Sequence, residues 1–137
     1  MAKKNNINKK ANVRIRVKNK FANAARGIYI AFKEESTLIV YLVAILFCIG
    51  LGIWLKISPL EWSVIILTIG VLIGFEFVNT SIENLVDLLS FEYNIQVKKI
   101  KDICAAASIL NALLSVVIGF LIYLPPLIQK ITELAGG

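Results

Sequence analysis

A chain of 137 residues is one domain's worth of protein, and a composition 58% hydrophobic with a mean hydropathy of +0.76 is too apolar for a soluble globule of that size. The formal charge is +6, yet ten of the 15 basic residues precede residue 34 without interleaved aromatics, so anionic lipid headgroups and not nucleic acid are the expected partner of that block. With no histidine and no C-x-x-C, a zinc site and a Cys/His nucleophile are excluded, and Cys48 and Cys104, both inside apolar runs, read as small packing residues.

Residues 1–10 are rich in Lys and Asn and read as a disordered basic tail, followed by a single membrane domain over 11–137. Over residues 13–34 the apolar positions Val13, Val17, Phe21, Ala24, Ile28 and Phe32 recur at helical spacing, while Arg14, Arg16, Lys18, Lys20 and Arg26 lie mostly off that stripe. Such a basic amphipathic helix beside a span is expected in the membrane interface. No cleavable signal peptide is expected, because the first apolar run starts late and is long.

Three transmembrane helices follow, over residues 37–55, 60–78 and 103–124. The first carries no charge and has the length that a bilayer core requires at about 1.5 Å per residue. Lys56 and Ser58-Pro59 make a short turn flanked by Trp54 and Trp62, an interfacial pair. The second span has Glu61 at its start and Glu76 near its end, and the third is expected to close at Tyr123 and Pro125-Pro126. The lysine and arginine distribution places the N-terminus and the 79–102 loop in the cytoplasm and the C-terminus outside. Gly70 and Gly74 form a G-x-x-x-G, and residues 105–108 are small, so both permit close helix contact.

Glu76, Asn79, Glu83 and Asp87 stand at i, i+3, i+7 and i+11, within about 80° of one another on a helix. They form a polar stripe leading from the bilayer edge into the cytoplasm. Asp87 and Glu92 are compatible with a merely solvated helix end. Glu76 is not, because ionisable groups at membrane depth usually line a site. Glu34 and Glu35 before the first span, and Lys101-Asp102 before the third, face the same compartment. Carboxylates there can hold Mg²⁺ with nucleotide phosphates, a lysine can meet phosphate, and a carboxylate can take a hydroxyl proton. Nucleotide-dependent phosphorylation of a membrane component fits this inventory. Proton or cation transport fits less well, because the acids cluster at one face. No P-loop, dinucleotide or protein-kinase motif is present.

Residues 76–87 match E-x-hydrophobic-N-[ST]-[SA]-hydrophobic-E-x-x-hydrophobic-D at every fixed position. In this the chain resembles the small bacterial membrane diacylglycerol kinase family, which includes undecaprenol kinases. Gly27 through Lys33-Glu34-Glu35, Ser58 to Trp62, Glu92-Tyr93 and Lys101-Asp102 extend the resemblance over residues 13–124. It implies an all-α integral membrane fold, with an N-terminal amphipathic surface helix and three spans, assembled as a homotrimer with composite active sites. It implies an ATP- and Mg²⁺-dependent kinase of a membrane lipid alcohol in a bacterial cytoplasmic membrane. By resemblance Glu76 is the general base and Glu35 and Glu83 bind Mg²⁺. Asn79, Lys101 and Asp102 shape the nucleotide and phosphate region, which Arg16, Glu34, Asp87 and Glu92 join. Asn94, where many relatives have histidine, and Thr37, where undecaprenol kinases often have asparagine, depart from the pattern. The short turn and S-P-L-E-W favour undecaprenol as substrate. Diacylglycerol, giving phosphatidate, is the alternative, and a non-enzymatic family member is a further one. No lipid-contacting residue is distinguishable among the generic aliphatics.

Overall fold

The computed structural model describes residues 2–89 and 94–136, with side chains from residue 15 onward. Four helices follow in order: α1 (Ala2–Glu34), α2 (Ser36–Leu55), α3 (Pro59–Leu89) and α4 (Ile95–Ala135). The last three are long and apolar enough to cross a membrane. The chain divides into two units, one up to Ser36 and one from Thr37 onward.

In the first unit, α1 begins at Ala2, upstream of the start that the apolar stripe marks. It takes in the Lys/Asn-rich stretch read as a tail, since no proline or glycine precedes Gly27 to interrupt a helix. Val17, Phe21 and Ile28 are exposed along it. Lys33 in its last turn complements the negative end of the helix dipole.

The second unit opens with a helical hairpin whose turn is built from two complementary caps. At the end of α2, the Lys56 N–H donates to the Ile53 carbonyl at 3.3 Å and the Ile57 N–H to the Gly52 carbonyl at 3.2 Å. This is a Schellman closure, with Lys56 at φ 55° in the left-handed position that glycine usually fills. At the start of α3, the Ser58 N–H donates to Glu61 Oε2 at 2.6 Å and the Glu61 N–H donates to Ser58 Oγ at 3.3 Å. That reciprocal pair is a capping box, with Pro59 at the first helical position where its missing N–H costs nothing. Ile57, just before the cap, packs with Trp62, four residues after it, as a hydrophobic staple. Gly52 is where the two arms meet most closely. A Cβ there would come to 3.0 Å from Ile57 Cδ1 and from Trp62 Cη2 and Cζ2.

Leu55, Ile57, Ile65, Ile122 and Tyr123 form the buried cluster at this end, with Cys48, Leu51 and Trp62 packed against it. The Tyr123 hydroxyl donates to the Cys48 carbonyl at 2.9 Å, tying α4 to α2. α3 and α4 pack along one another. Along the spans, hydroxyls return to their own helix. Ser63, Thr68, Thr80, Ser81, Ser115 and Thr132 each donate to the carbonyl four residues back, at 2.7–3.0 Å. With no water to accept these protons in a bilayer, that is the nearest satisfying partner.

α3 and α4 also differ from the expected bounds. α3 continues past residue 78 to Leu89, so the polar stripe lies wholly on helix. α4 does not close at Pro125-Pro126 but runs through both to Ala135, where the Gly136 N–H donates back to Thr132 O at 3.0 Å. The prolines remove only the bonds to the carbonyls of Leu121 and Ile122, and in a helix flanked by further good turns that loss does not end it. Asn94, the departure from the family pattern, caps α4 by accepting from the Gln96 N–H at 2.8 Å.

Replacing Gly52 with valine is expected to destabilise the hairpin by about 1–3 kcal/mol through overpacking. Ser58→Ala should cost about 1 kcal/mol through loss of the cap. Both are read as lowered melting temperatures in detergent, and variants that melt with the wild type would contradict this account of the turn.

Candidate functional site

α3 carries the predicted stripe, and burial falls off along it. Glu76 is 4% exposed and Asn79 is 8% exposed, while Glu83 is half-buried and Asp87 is exposed. Along the helix the stripe therefore runs from an enclosed carboxylate to a solvated one. α4 supplies the facing groups. Ser108, itself buried, donates its hydroxyl proton to Glu76 Oε2 across the helix pair. Lys101 Nζ donates to both carboxylate oxygens of Asp87, at 2.9 and 3.0 Å.

Between these two links, Asn79 Nδ2 donates to Glu83 Oε1 at 3.0 Å, one helical turn along α3. The other end of that amide, Oδ1, is buried and without a hydrogen-bond partner among the described residues. A buried amide oxygen left unpaired is costly. It is therefore poised to accept from a bound donor or to ligate a hard cation. Thr80, also buried, is satisfied by the Glu76 carbonyl at 3.0 Å.

Lys101 sits on the first turns of α4, ahead of its apolar part. Its hydrogen bond to Asp87 holds its ammonium above the ordinary lysine pKa of 10.5, against an opposing desolvation and with further help from the charges of Asp87 and Glu83. Folding thus gains from the charged form. That gain is complete below the ordinary lysine value and is lost only as pH rises through the higher folded one.

The remaining candidates are distributed as follows. Asp102 is exposed and lines a shallow hollow with Lys98 and Lys99, away from the hydrogen-bonded stripe. Arg16 is exposed on α1, Glu34 is the last residue of α1, and the Glu35 N–H extends the helical pattern by donating to Ala31 O at 2.9 Å. These three belong to the other unit. Glu92 lies outside the described residues. Among the described residues, no three Asp, Glu or Cys side chains gather as a closed metal cage. Mg²⁺ does not need one, because it commonly binds through one or two carboxylates and completes its shell with phosphate and water. The Glu83 carboxylate and the orphaned Asn79 oxygen are hard donors that suit it.

Two neighbours of Glu76 were not legible as site residues. Ser108 reads from sequence as one of a run of small residues, and Tyr41 as one more apolar position in the first span. The Tyr41 phenol, from α2, lies against Ser108 and feels the charge of Glu76. The available signal was a serine and a tyrosine in otherwise apolar spans, each requiring a polar partner.

The described residues are helical throughout apart from short connections, with three helices long and apolar enough to cross a membrane and a carboxylate stripe at one end of the α3–α4 pair. The sequence profile of the family "Prokaryotic diacylglycerol kinase" matches residues 22–123, and the chain belongs to that family of lipid kinases. It is 35% identical over 107 residues to the undecaprenol kinase of Bacillus subtilis, covering 78% of this chain and 87% of that protein. It is also 35% identical over 85 residues to a diacylglycerol kinase of Helicobacter pylori strain 26695, covering 62% of this chain and 66% of that protein. A second Helicobacter pylori diacylglycerol kinase, from strain J99, is 34% identical over the same length.

The Lys101–Asp87 pair is partly exposed, so Lys101→Met or Asp87→Asn should leave the melting temperature at neutral pH close to that of the wild type. A melting-temperature loss equal to that of a core truncation would show instead that the pair holds the helices together.

Proposed function

We propose that the protein transfers the terminal phosphoryl group of Mg-ATP to the hydroxyl of a membrane lipid alcohol, with undecaprenol favoured and diacylglycerol the alternative. The observation that carries this is the enclosed Glu76 carboxylate at the head of the α3 stripe. An ionisable group kept in an apolar span, with no ion-pair partner among the described residues, has a chemical task that an inert span would not require.

In this reading Glu76 accepts the lipid hydroxyl proton as that oxygen forms its bond to the terminal phosphorus. The bond from that phosphorus to the bridging oxygen breaks, and ADP leaves with the electron pair. Bound Mg²⁺ would offset the charge of the nucleotide's phosphates. Glu83 and Glu35 would hold it, with the unpartnered Asn79 Oδ1 beside Glu83 as a further donor. Lys101 contacts phosphate while still beside Asp87. Arg16, Glu34, Asp87, Glu92 and Asp102 complete the nucleotide region.

The favoured lipid rests on coverage. At equal identity, the match to the undecaprenol kinase spans 87% of that protein, against 66% for the diacylglycerol kinase. The positive-inside pattern orients the site to the bacterial cytoplasm, with the N-terminus inside and the C-terminus outside. α1 lies in the membrane interface as an amphipathic helix. Assembly as a homotrimer with composite sites accords with spans that bury only 11–17% of their residues within the chain, and with Gly70 and Gly74 having open space where a Cβ would be.

Glu76→Gln is expected to retain folding and Mg-ATP binding while losing more than about 100-fold in kcat. Glu83→Gln should instead raise the Mg²⁺ concentration needed for half-maximal activity. Wild-type turnover in Glu76→Gln would refute the role of base. Unchanged Mg²⁺ dependence in Glu83→Gln would refute the metal assignment.

A further inference from the structure

Ser108 departs from the habit of the other span hydroxyls. Six serines and threonines in α3 and α4 return their proton to a carbonyl four residues back on the same helix. Ser108 sends its proton across to a side chain 32 positions away, Glu76 Oε2. Donor and acceptor are both more than nine-tenths buried, at 5% and 4% exposure. The Tyr41 phenol of α2 lies near Ser108 and Glu76. A carboxylate on a flexible glutamate stem is thus held by a hydroxyl of the facing helix, with a phenol from α2 beside that hydroxyl.

We propose that Ser108, backed by Tyr41, is a positioning residue for the phosphoryl transfer: by engaging Oε2 it fixes the Glu76 side chain and assigns proton acceptance to Oε1. The proposal rests on the reading of Glu76 as general base. A base must be aligned with the hydroxyl it deprotonates to within a fraction of an ångström, so freeing it from its anchor lowers the rate of the chemical step. Neither Ser108 nor Tyr41 need touch the nucleotide, and the binding of both substrates is left as it was.

The test is steady-state kinetics of the full-length protein in mixed micelles, varying Mg-ATP and undecaprenol separately. It compares wild type, Ser108→Ala, Ser108→Thr, Tyr41→Phe and Glu76→Gln, with a melting curve for each. Ser108→Ala should lose about tenfold in kcat, the scale of one hydrogen bond to a charged group, with both KM values within about twofold of wild type. Ser108→Thr, which keeps the hydroxyl, should recover most of that loss, and Tyr41→Phe should lose about threefold or less. An unchanged kcat in Ser108→Ala overturns the proposal. So does a loss that appears in KM, or one that Ser108→Thr fails to repair while melting like the wild type. Full activity in Glu76→Gln removes the underlying base assignment, and a dead Glu76→Gln beside a fully active Ser108→Ala removes only the positioning role.

Discussion

The hydrogen bond from Ser108 to Glu76 joins α3 to α4 at a depth where neither group could be left alone. An unpaired carboxylate in an apolar interior is costly, and lipid offers no partner. Placing Glu76 in the second span therefore dictates that something polar must face it, and α4 supplies that group. The same register brings Lys101 to Asp87. From Ser108 to Lys101 is about 10 Å along α4, and from Glu76 to Asp87 about 16 Å along α3, and the extended lysine side chain covers the difference. The buried Ser108–Glu76 link thus holds the helix pair at one end, and the Ile65–Ile122–Tyr123 cluster holds it at the other.

Between those links the site has an internal gradient. At Glu76 water is excluded, which strengthens any proton transfer and any charge stabilisation there. At Asp87 the carboxylate is open to solvent and to a soluble nucleotide. A kinase that joins a lipid hydroxyl to a nucleotide phosphate needs both environments on one face. The stripe on α3 places them about three turns apart, because residues at i, i+3, i+7 and i+11 climb the same face. Asn79 stands between them, nearer Glu76, one end of its amide satisfied by Glu83 and the other open to a ligand.

Much of this was legible in the sequence. Long apolar runs marked the three spans because a bilayer demands about 20 apolar residues per crossing. The spacing of Glu76, Asn79, Glu83 and Asp87 marked the site face before any coordinates. The ends of helices were less legible. Pro125-Pro126 looked like a stop, yet a proline pair deletes two hydrogen bonds without forbidding the turns beyond. Glu61, placed at the start of the second span, is the reciprocal partner in the α3 capping box. Ser108 and Tyr41 were hidden because their role depends on which residue of another helix they face, and helix-pair register is not written in local spacing. Asn94 and Asp102 show the same limit. One proves to be a helix cap, and the other is exposed in a hollow shared with Lys98 and Lys99.

The most direct test of the account is phosphoryl transfer from labelled Mg-ATP by the purified protein in mixed micelles, with undecaprenol and diacylglycerol supplied in parallel. The account predicts a labelled lipid phosphate that depends on Mg²⁺ and forms faster with undecaprenol. Preference for diacylglycerol would reassign the substrate within the same chemistry. Intact Mg-ATP binding with no transfer to either lipid would contradict the proposed reaction itself.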